Sequence, residues 1–254
     1  MNPVIDTLSQ HRSIRRFTGQ AVSEEQVETI VRAAMAQANW INGQQVTVVE
    51  VLDAQDKAEV AAAAGDQKHV KEAPVLLIFC MDFRRAKLAA DKQGVELGVV
   101  EDIEAVLIGS TDVGLAMGNA ITAAESMGLG IVPIGGIRRD PGRVISLLEL
   151  PEFVFPIAGL VIGYPDEDPG LKPRLPLQAV YHKGRYNPSY ENLLEEYDAQ
   201  IAEYTRTRSN GAASSRWTER TAMFYSEGYL PYAQKVTPAL KGQGFALGAK
   251  RAEP

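Results

Sequence analysis

The 254-residue chain has little of what anchors several common functions. It has one cysteine, Cys80, which leaves no pair for an internal disulfide or a paired-cysteine metal site. Its three histidines, His11, His69 and His182, have no metal-ligand neighbours at a recognised spacing, and there is no H-E-x-x-H. G-x-G-x-x-G and Walker A loops are missing, so the familiar nucleotide-binding folds are unsupported. No G-x-S-x-G elbow occurs either, and nothing specific supports a serine hydrolase. No uninterrupted apolar run approaches ~18 residues, so no membrane span is expected. The first residues lack a basic stretch followed by an apolar one, so no secretory signal is read and a soluble, cytoplasmic protein is expected. A net charge of −6 argues against general nucleic-acid binding, although local basic clusters can still hold an anionic cofactor.

What remains is ordinary globular composition, 45% hydrophobic and 23% charged, at a length suited to one large domain or a domain with an elaborated tail. Asn2 before Pro3 reads as an N-cap and first helical residue. Ser23 and Gln26 form a capping-box pattern, followed by Val27, Ile30, Val31, Ala34 and Ala38 at helical spacing. Strands are expected at residues 46–52, 75–81 and 157–164, with a short extended piece at 131–134. Cys80, within the apolar 75–81 run, reads as a small buried hydrophobe rather than a nucleophile. A long helix is expected over residues 99–127, with Ile103, Val106, Leu107, Val113, Met117, Ile121 and Ala124 on one stripe. Gly114 and Gly118 within it point either to close approach of a second helix, from this or another subunit, or to local tolerance. Another short helix is expected near residues 142–150. Helices flank few strands without regular β-α-β alternation, which favours an α+β fold. After Pro165 the chain becomes proline-rich, then helical over 190–206, and residues 209–215 have linker composition.

Two basic groups can carry chemistry. His11-Arg12-Ser13-Ile14-Arg15 supplies guanidinium forks, a hydroxyl and exposed backbone, suited to a phosphate or equally to a solvated basic loop. In Leu171-Lys172-Pro173-Arg174-Leu175-Pro176 the prolines restrict the directions of Lys172 and Arg174; an ordinary surface loop has the same composition. Gly135-Gly136 allows backbone to approach a flat ligand, or simply makes a turn. Gln67 is suited to reading a polar ring edge, or to solvent.

In this order, with Gly65-Asp66-Gln67-Lys68-His69-Val70, Ala123-Ala124-Glu125-Ser126-Met127-Gly128-Leu129-Gly130, Ile134-Gly135-Gly136-Ile137-Arg138 and Ala202-Glu203-Tyr204, these pieces resemble the nitroreductase superfamily. The resemblance is to its NADPH-dependent, oxygen-insensitive nitroreductase and flavin-reductase branch, and it spans residues 2–208. It implies a mostly antiparallel sheet flanked by helices, in an intertwined homodimer with FMN at each of two subunit-interface sites. The expected organisation is a domain at residues 1–208, with residues 209–254, which match the family less clearly, as a C-terminal extension packing on the body or the partner.

By the same resemblance, His11, Arg12, Ser13 and Arg15 hold the phosphate, ribityl chain and one ring edge, and Asn39 hydrogen-bonds FMN. Gln67 contacts the pyrimidine side, while Ile134, Gly135 and Gly136 lie along the ring. Lys172 approaches N1 and the C2 carbonyl, Arg174 assists the phosphate, and Arg208 occupies the region that binds the extra phosphate of NADPH. The implied chemistry is ping-pong hydride transfer from NADPH through flavin N5 to a nitroaromatic, quinone or related acceptor, with no catalytic side-chain nucleophile or metal. Flavin reduction for another enzyme, or non-catalytic flavin binding as a sensor or store, are the alternatives. Two positions depart from the family pattern: Asn39-Trp40-Ile41-Asn42 replaces a serine-rich segment, and Pro133 stands where a tyrosine is common.

Overall fold

A computed structural model describes residues 2–248. These residues divide into two compact units, one running through Asp168 and resuming at Pro231, the other Pro169–Leu230.

The first unit is built on four strands, β1 (Val46–Glu50), β2 (Val75–Asp82), β3 (Gly130–Ile134) and β4 (Val154–Gly163). They pair antiparallel in the order β1-β2-β4-β3, so the two most apolar strands lie at the centre. Strand alternation sends Val75, Leu77, Phe79 and Met81 to one core and Leu76, Ile78 and Cys80 to the other. Both faces of β2 are therefore buried, which is why its sequence is continuously apolar rather than alternating. Each such aliphatic side chain contributes about 1.5–3 kcal/mol on burial.

Helices cover both faces, as α+β packing requires. On the first lie α2 (Glu24–Met35), α6 (Glu104–Ser126) and α10 (Leu230–Gly242). On the second lie α3 (Ala54–Ala63), α4 (Lys68–Lys71) and α7 (Pro141–Leu147). Helix α1 (Pro3–Ser9) starts as expected, with the Asn2 side chain accepting from Ile5 N–H at 3.1 Å, and the reciprocal Ser23–Gln26 box opens α2. Helix α5 (Arg84–Gln93) follows β2.

Several boundaries differ from expectation, three of them around the sheet and the long helix. The long helix is shorter, because residues 98–101 form a separate turn and the Asp102 carboxylate accepts Glu104 N–H at 3.0 Å, starting α6 afresh. Strand β4 begins at Val154 rather than residue 157, with Pro156 accommodated where the register slips between Phe79 and Cys80. Strand β1 ends at Glu50, before residues 51–52.

The packed face of α6 differs in part: Val113 and Ala124 of the expected stripe are buried, and Val106, Met117 and Ile121 pack against the core. Ala105, Gly109, Asp112, Val113, Ala116, Ala120 and Ala124 are its buried residues. Small side chains let the helix approach the sheet; a Cβ at Gly109 would stand 2.7 Å from Met81 Cβ. Of the expected stripe, Ile103 and Leu107 are instead exposed. Among the described residues nothing lies within 4 Å of a Cβ built at Gly114 or Gly118, so neither glycine is required by close packing within these residues. The length and composition of α6 would suffice to cross a bilayer, yet its small-residue face belongs to the protein core.

Cys80 is fully buried, and burial, followed by the charge of Asp82, pushes its thiol up to about 12. The unfolded thiol ionises near 9.0, so this contribution to stability is complete below that pH and is lost as pH rises from there towards about 12. Cys80→Ala should therefore flatten the alkaline fall in unfolding free energy by up to about 1.4 kcal/mol per pH unit. Denaturant titrations of both proteins from neutral to alkaline pH provide the comparison. An identical slope would contradict the assignment.

Candidate functional site

The basic segment is placed by the sheet. After α1 the chain runs extended beside β3: Ser13 bridges Ile131 in parallel, and Ile14 N–H donates to Ile131 O at 2.8 Å. Further on, Phe17 bridges Pro165 and Thr18 N–H donates to Tyr164 O at 2.9 Å. Ile14 is buried, whereas Arg15 is exposed. The apolar residue anchors the segment to the core while its polar neighbours remain accessible.

Carboxylates organise the same segment. His11 Nδ1 lies 2.7 Å from Glu125 Oε1 at the end of α6. Glu167 Oε1 accepts the backbone N–H groups of Arg15 at 2.5 Å and Arg16 at 3.2 Å. Arg12 Nε is 3.4 Å from Asp168 Oδ1 in a solvent-exposed pair, worth about 0–1 kcal/mol. That pair is weak enough for a competing anion to take over the guanidinium.

Strand β3 leads into the turn Gly135–Arg139. A Cβ at Gly136 would fall 2.6 Å from Gln67 Nε2 and 2.7 Å from Ala64 O, so only glycine fits this crossing. Gln67 precedes α4 and donates through Nε2 to Ala64 O at 2.9 Å. Two residues on, half-buried His69 has a buried Nε2 with no partner among the described residues. Burial, then the charge of Arg15, lowers its pKa, while Glu167 acts in the opposite direction. His11 to Arg15, residues 131–136, Gln67 and His69 thus form one contiguous neighbourhood. In the sequence His69 and Glu125 stand only as members of the family-like motifs, with no role of their own; the pairing of Glu125 with His11 joins positions too distant in sequence to leave a local signal.

Asn39 makes its contacts in a different loop. Its Oδ1 accepts Gln44 N–H at 3.1 Å, and its Nδ2 lies 3.5 Å from Gln37 O. Trp40 N–H points at the Asp112 carboxylate, 3.2 and 3.4 Å from the two oxygens. Ile41, Asn42 and Gln44 adopt φ of 48°, 57° and 53° without being glycine. Each costs about 1–3 kcal/mol, so the loop persists only because its surroundings hold it. Arg85 supplies part of that hold by donating to Gln44 O at 2.8 Å and Val46 O at 2.7 Å. Burial raises the Asp112 pKa, and the Trp40 N–H pulls it back. Pro133 lies exposed on edge strand β3, a position that tolerates a residue without N–H.

In the second unit, α8 (Glu191–Arg208) holds the proline-rich loop through its tyrosines. Tyr197 OH donates to Pro173 O at 2.9 Å, and Tyr204 OH donates to Pro169 O at 3.3 Å. Within that loop, Arg174 NH1 donates to Lys172 O at 3.0 Å. Burial raises the Tyr197 phenol, against the nearby charge of Arg174. Arg208 is exposed at the C-terminal end of α8. The Asp198 carboxylate accepts Thr218 N–H at 2.9 Å and so ties α8 to α9 (Trp217–Met223).

This combination, an antiparallel sheet covered by helices with a basic segment zipped beside a Gly-Gly turn, defines a class that comparison with known proteins identifies. The Nitroreductase family model matches residues 8–164 and the model of the Nitroreductase family, C-terminal domain, matches residues 172–248; the chain belongs to the nitroreductase family. It is 43% identical over 250 residues to a Bacillus subtilis protein named FMN reductase (NAD(P)H), covering 97% of this chain and 99% of the relative. It is 40% identical over 220 residues to the oxygen-insensitive NADPH nitroreductase of Salmonella typhimurium, covering 86% and 89% respectively. The solved structure of B. megaterium NfrA2 superposes with a TM-score of 0.94 at 46% identity, covering 97% of this chain and 99% of that one.

The Gly136 crossing gives a direct test of how the neighbourhood is built. Gly136→Ala should displace Gln67 and destabilise the first unit by about 1–3 kcal/mol. Thermal unfolding should register a lower Tm; an unchanged Tm would show that Ala64 and Gln67 yield without cost.

Proposed function

We propose that this protein is an FMN-dependent oxidoreductase that draws hydride from NADPH and delivers electrons to nitroaromatics, quinones or related small acceptors. The observation that carries the reading is the pinning of His11 to Arg15 beside β3, next to the Gly136–Gln67 crossing. The donor set suits FMN: two guanidiniums for a dianionic phosphate, a hydroxyl and an imidazole for the ribityl chain, and an amide for a pyrimidine edge. The buried Nε2 of half-buried His69, which has no partner among the described residues, adds an unmet polar group in the same neighbourhood.

When bound, FMN supplies the capacity to accept a hydride and release electrons. The chain's residues bind and orient. Arg12, Ser13 and Arg15 hold phosphate and chain, while His11 is steered by Glu125. Gln67 would fix the ring edge, and Ile134, Gly135 and Gly136 would offer backbone along the ring. Asn39 would be a further ligand of FMN, Lys172 would supply positive charge to the N1–C2 carbonyl edge, and Arg174 would assist the phosphate. No side-chain nucleophile is needed, and the buried, high-pKa Cys80 is unsuited to be one. Arg208 receives the extra phosphate of NADPH. Free FMN as acceptor is a second reading, favoured by the B. subtilis relative's name.

The protein acts in the cytoplasm as a homodimer. A groove of about 720 Å³, lined by Val4, Leu8, Ala33, Gly114, Leu115 and Gly118, offers a second copy an apolar face with room for a closely packed helix. The residues from 209 onward pack on the body or the partner; residues 249–254 lie outside the described part.

Purified protein should show the visible spectrum of bound FMN, and anaerobic NADPH should bleach it. Protein that neither contains nor takes up FMN would end this reading. Arg208→Ala should raise KM for NADPH about tenfold, the equivalent of ~1.4 kcal/mol, while leaving KM for NADH nearly unchanged. Equal effects on both nucleotides would remove Arg208 from phosphate recognition.

A further inference from the structure

Residues 39–44 form a strained loop held at several points. Ile41, Asn42 and Gln44 are all in the left-handed region. Arg85 grips its far end through Gln44 O and Val46 O, and is itself fixed by Asp82 Oδ2 at 3.0 Å and Thr47 Oγ1 at 2.9 Å. Asn39 clasps the loop across its base through Gln44 N–H. The near end depends on one side chain from another element, Asp112 of α6, which is only 2% exposed and accepts Trp40 N–H. An aspartate is otherwise foreign to the buried face of α6, whose remaining members are alanine, glycine and valine.

The held residues are large, apolar and uncovered. Trp40 is 56% and Ile41 83% exposed. The loop borders two cavities: one of about 430 Å³ with Trp40, Ile41, Asp112 and Leu107 in its wall, and one of about 310 Å³ reached by Asn39, Gln44 and Arg85. Both volumes suit small organic ligands. Left to itself, a strained loop with an exposed indole would relax, and the wall of the larger cavity would lose its shape. Asp112 lies in that wall and at the loop's anchor, so one carboxylate links α6 to the cavity's outline.

We propose that Asp112 is a positioning residue: by holding Trp40 N–H it fixes the Trp40–Ile41 wall and thereby sets the size of electron acceptor the enzyme admits. The role in acceptor choice rests on the proposed function; the anchoring of the loop does not. What matters is the acceptor oxygen facing Trp40 N–H, which an amide also provides. D112N should therefore preserve the loop, whereas D112L removes the acceptor while keeping the volume apolar.

The experiment uses the full-length holoenzyme and reads two quantities. Hydrogen exchange of the Trp40 amide should accelerate at least tenfold in D112L and stay within twofold of wild type in D112N. The ratio of KM for 2-methyl-1,4-naphthoquinone to KM for 1,4-benzoquinone should change at least fivefold in D112L, and D112N should restore the wild-type ratio. D112A supplies the same contrast if D112L does not fold. Unchanged exchange in the apolar variant, or an amide variant as loose as the leucine one, would overturn the anchoring. Faster exchange with an unchanged KM ratio between the two quinones would overturn the role in acceptor choice. Absence of bound FMN from wild type would defeat the functional reading alone, because amide exchange still decides whether Asp112 holds the loop.

Discussion

The backbone pairing of the His11–Arg15 segment with Ile131 is the constraint on which the first unit's chemistry depends. One parallel bridge and one 2.8 Å hydrogen bond carry a basic segment to edge strand β3. The same strand then runs directly into Gly135 and Gly136. Buried Ile14 makes the attachment insensitive to solvent, so the flanking polar side chains inherit a fixed direction from the sheet. Without that pairing the arginines would be a flexible surface charge. With it, they share a neighbourhood with Gln67 and His69.

Carboxylates are the second organising theme. Glu125 steers an imidazole, Glu167 gathers two backbone N–H groups, Asp82 fixes Arg85, and Asp112 receives Trp40. In each case an acid settles the position of a group that is otherwise free to wander. Buried or half-buried acids are costly unless partnered, so a fold retains them where position matters. Here they surround the basic segment and the strained loop, while the β2–β4 core is apolar.

The sheet's central pair ties this chemistry to the core. β2 and β4 are covered on both faces, and Ala64, Val70, Ile134 and Ile137, which flank Gln67, His69 and Gly136, belong to the second of the two cores. Helix α6 joins the two domains of concern: its small residues serve the core, Asp112 serves the loop, and its exposed Leu107 and Leu115 face outward. A helix apolar on nearly every side has more surface than one core can cover.

Local physics in the sequence determined much of this. Asn2-Pro3 and the Ser23–Gln26 box fixed helix starts, continuous apolar runs marked β2 and most of β4, and irregular alternation pointed to α+β. The ordered motifs marked the family and named the basic segment, Gly136 and Gln67. Helices α3, α4, α5, α9 and α10 escaped that reading, being short, weakly patterned or proline-containing. On α6, Val113 and Ala124 of the expected stripe are buried and Val106, Met117 and Ile121 pack against the core, but Ile103 and Leu107 lie outside the packed face, because size alone does not say whether small or large side chains meet the sheet. Contacts between distant positions left no local signal either: His11 with Glu125, Trp40 with Asp112, and Arg85 with Gln44 O exist only once the sheet has brought their elements together. Residue types and periodicity specify what each segment can do, but tertiary packing alone chooses which acid meets which donor, because those choices depend on distances that no local pattern encodes.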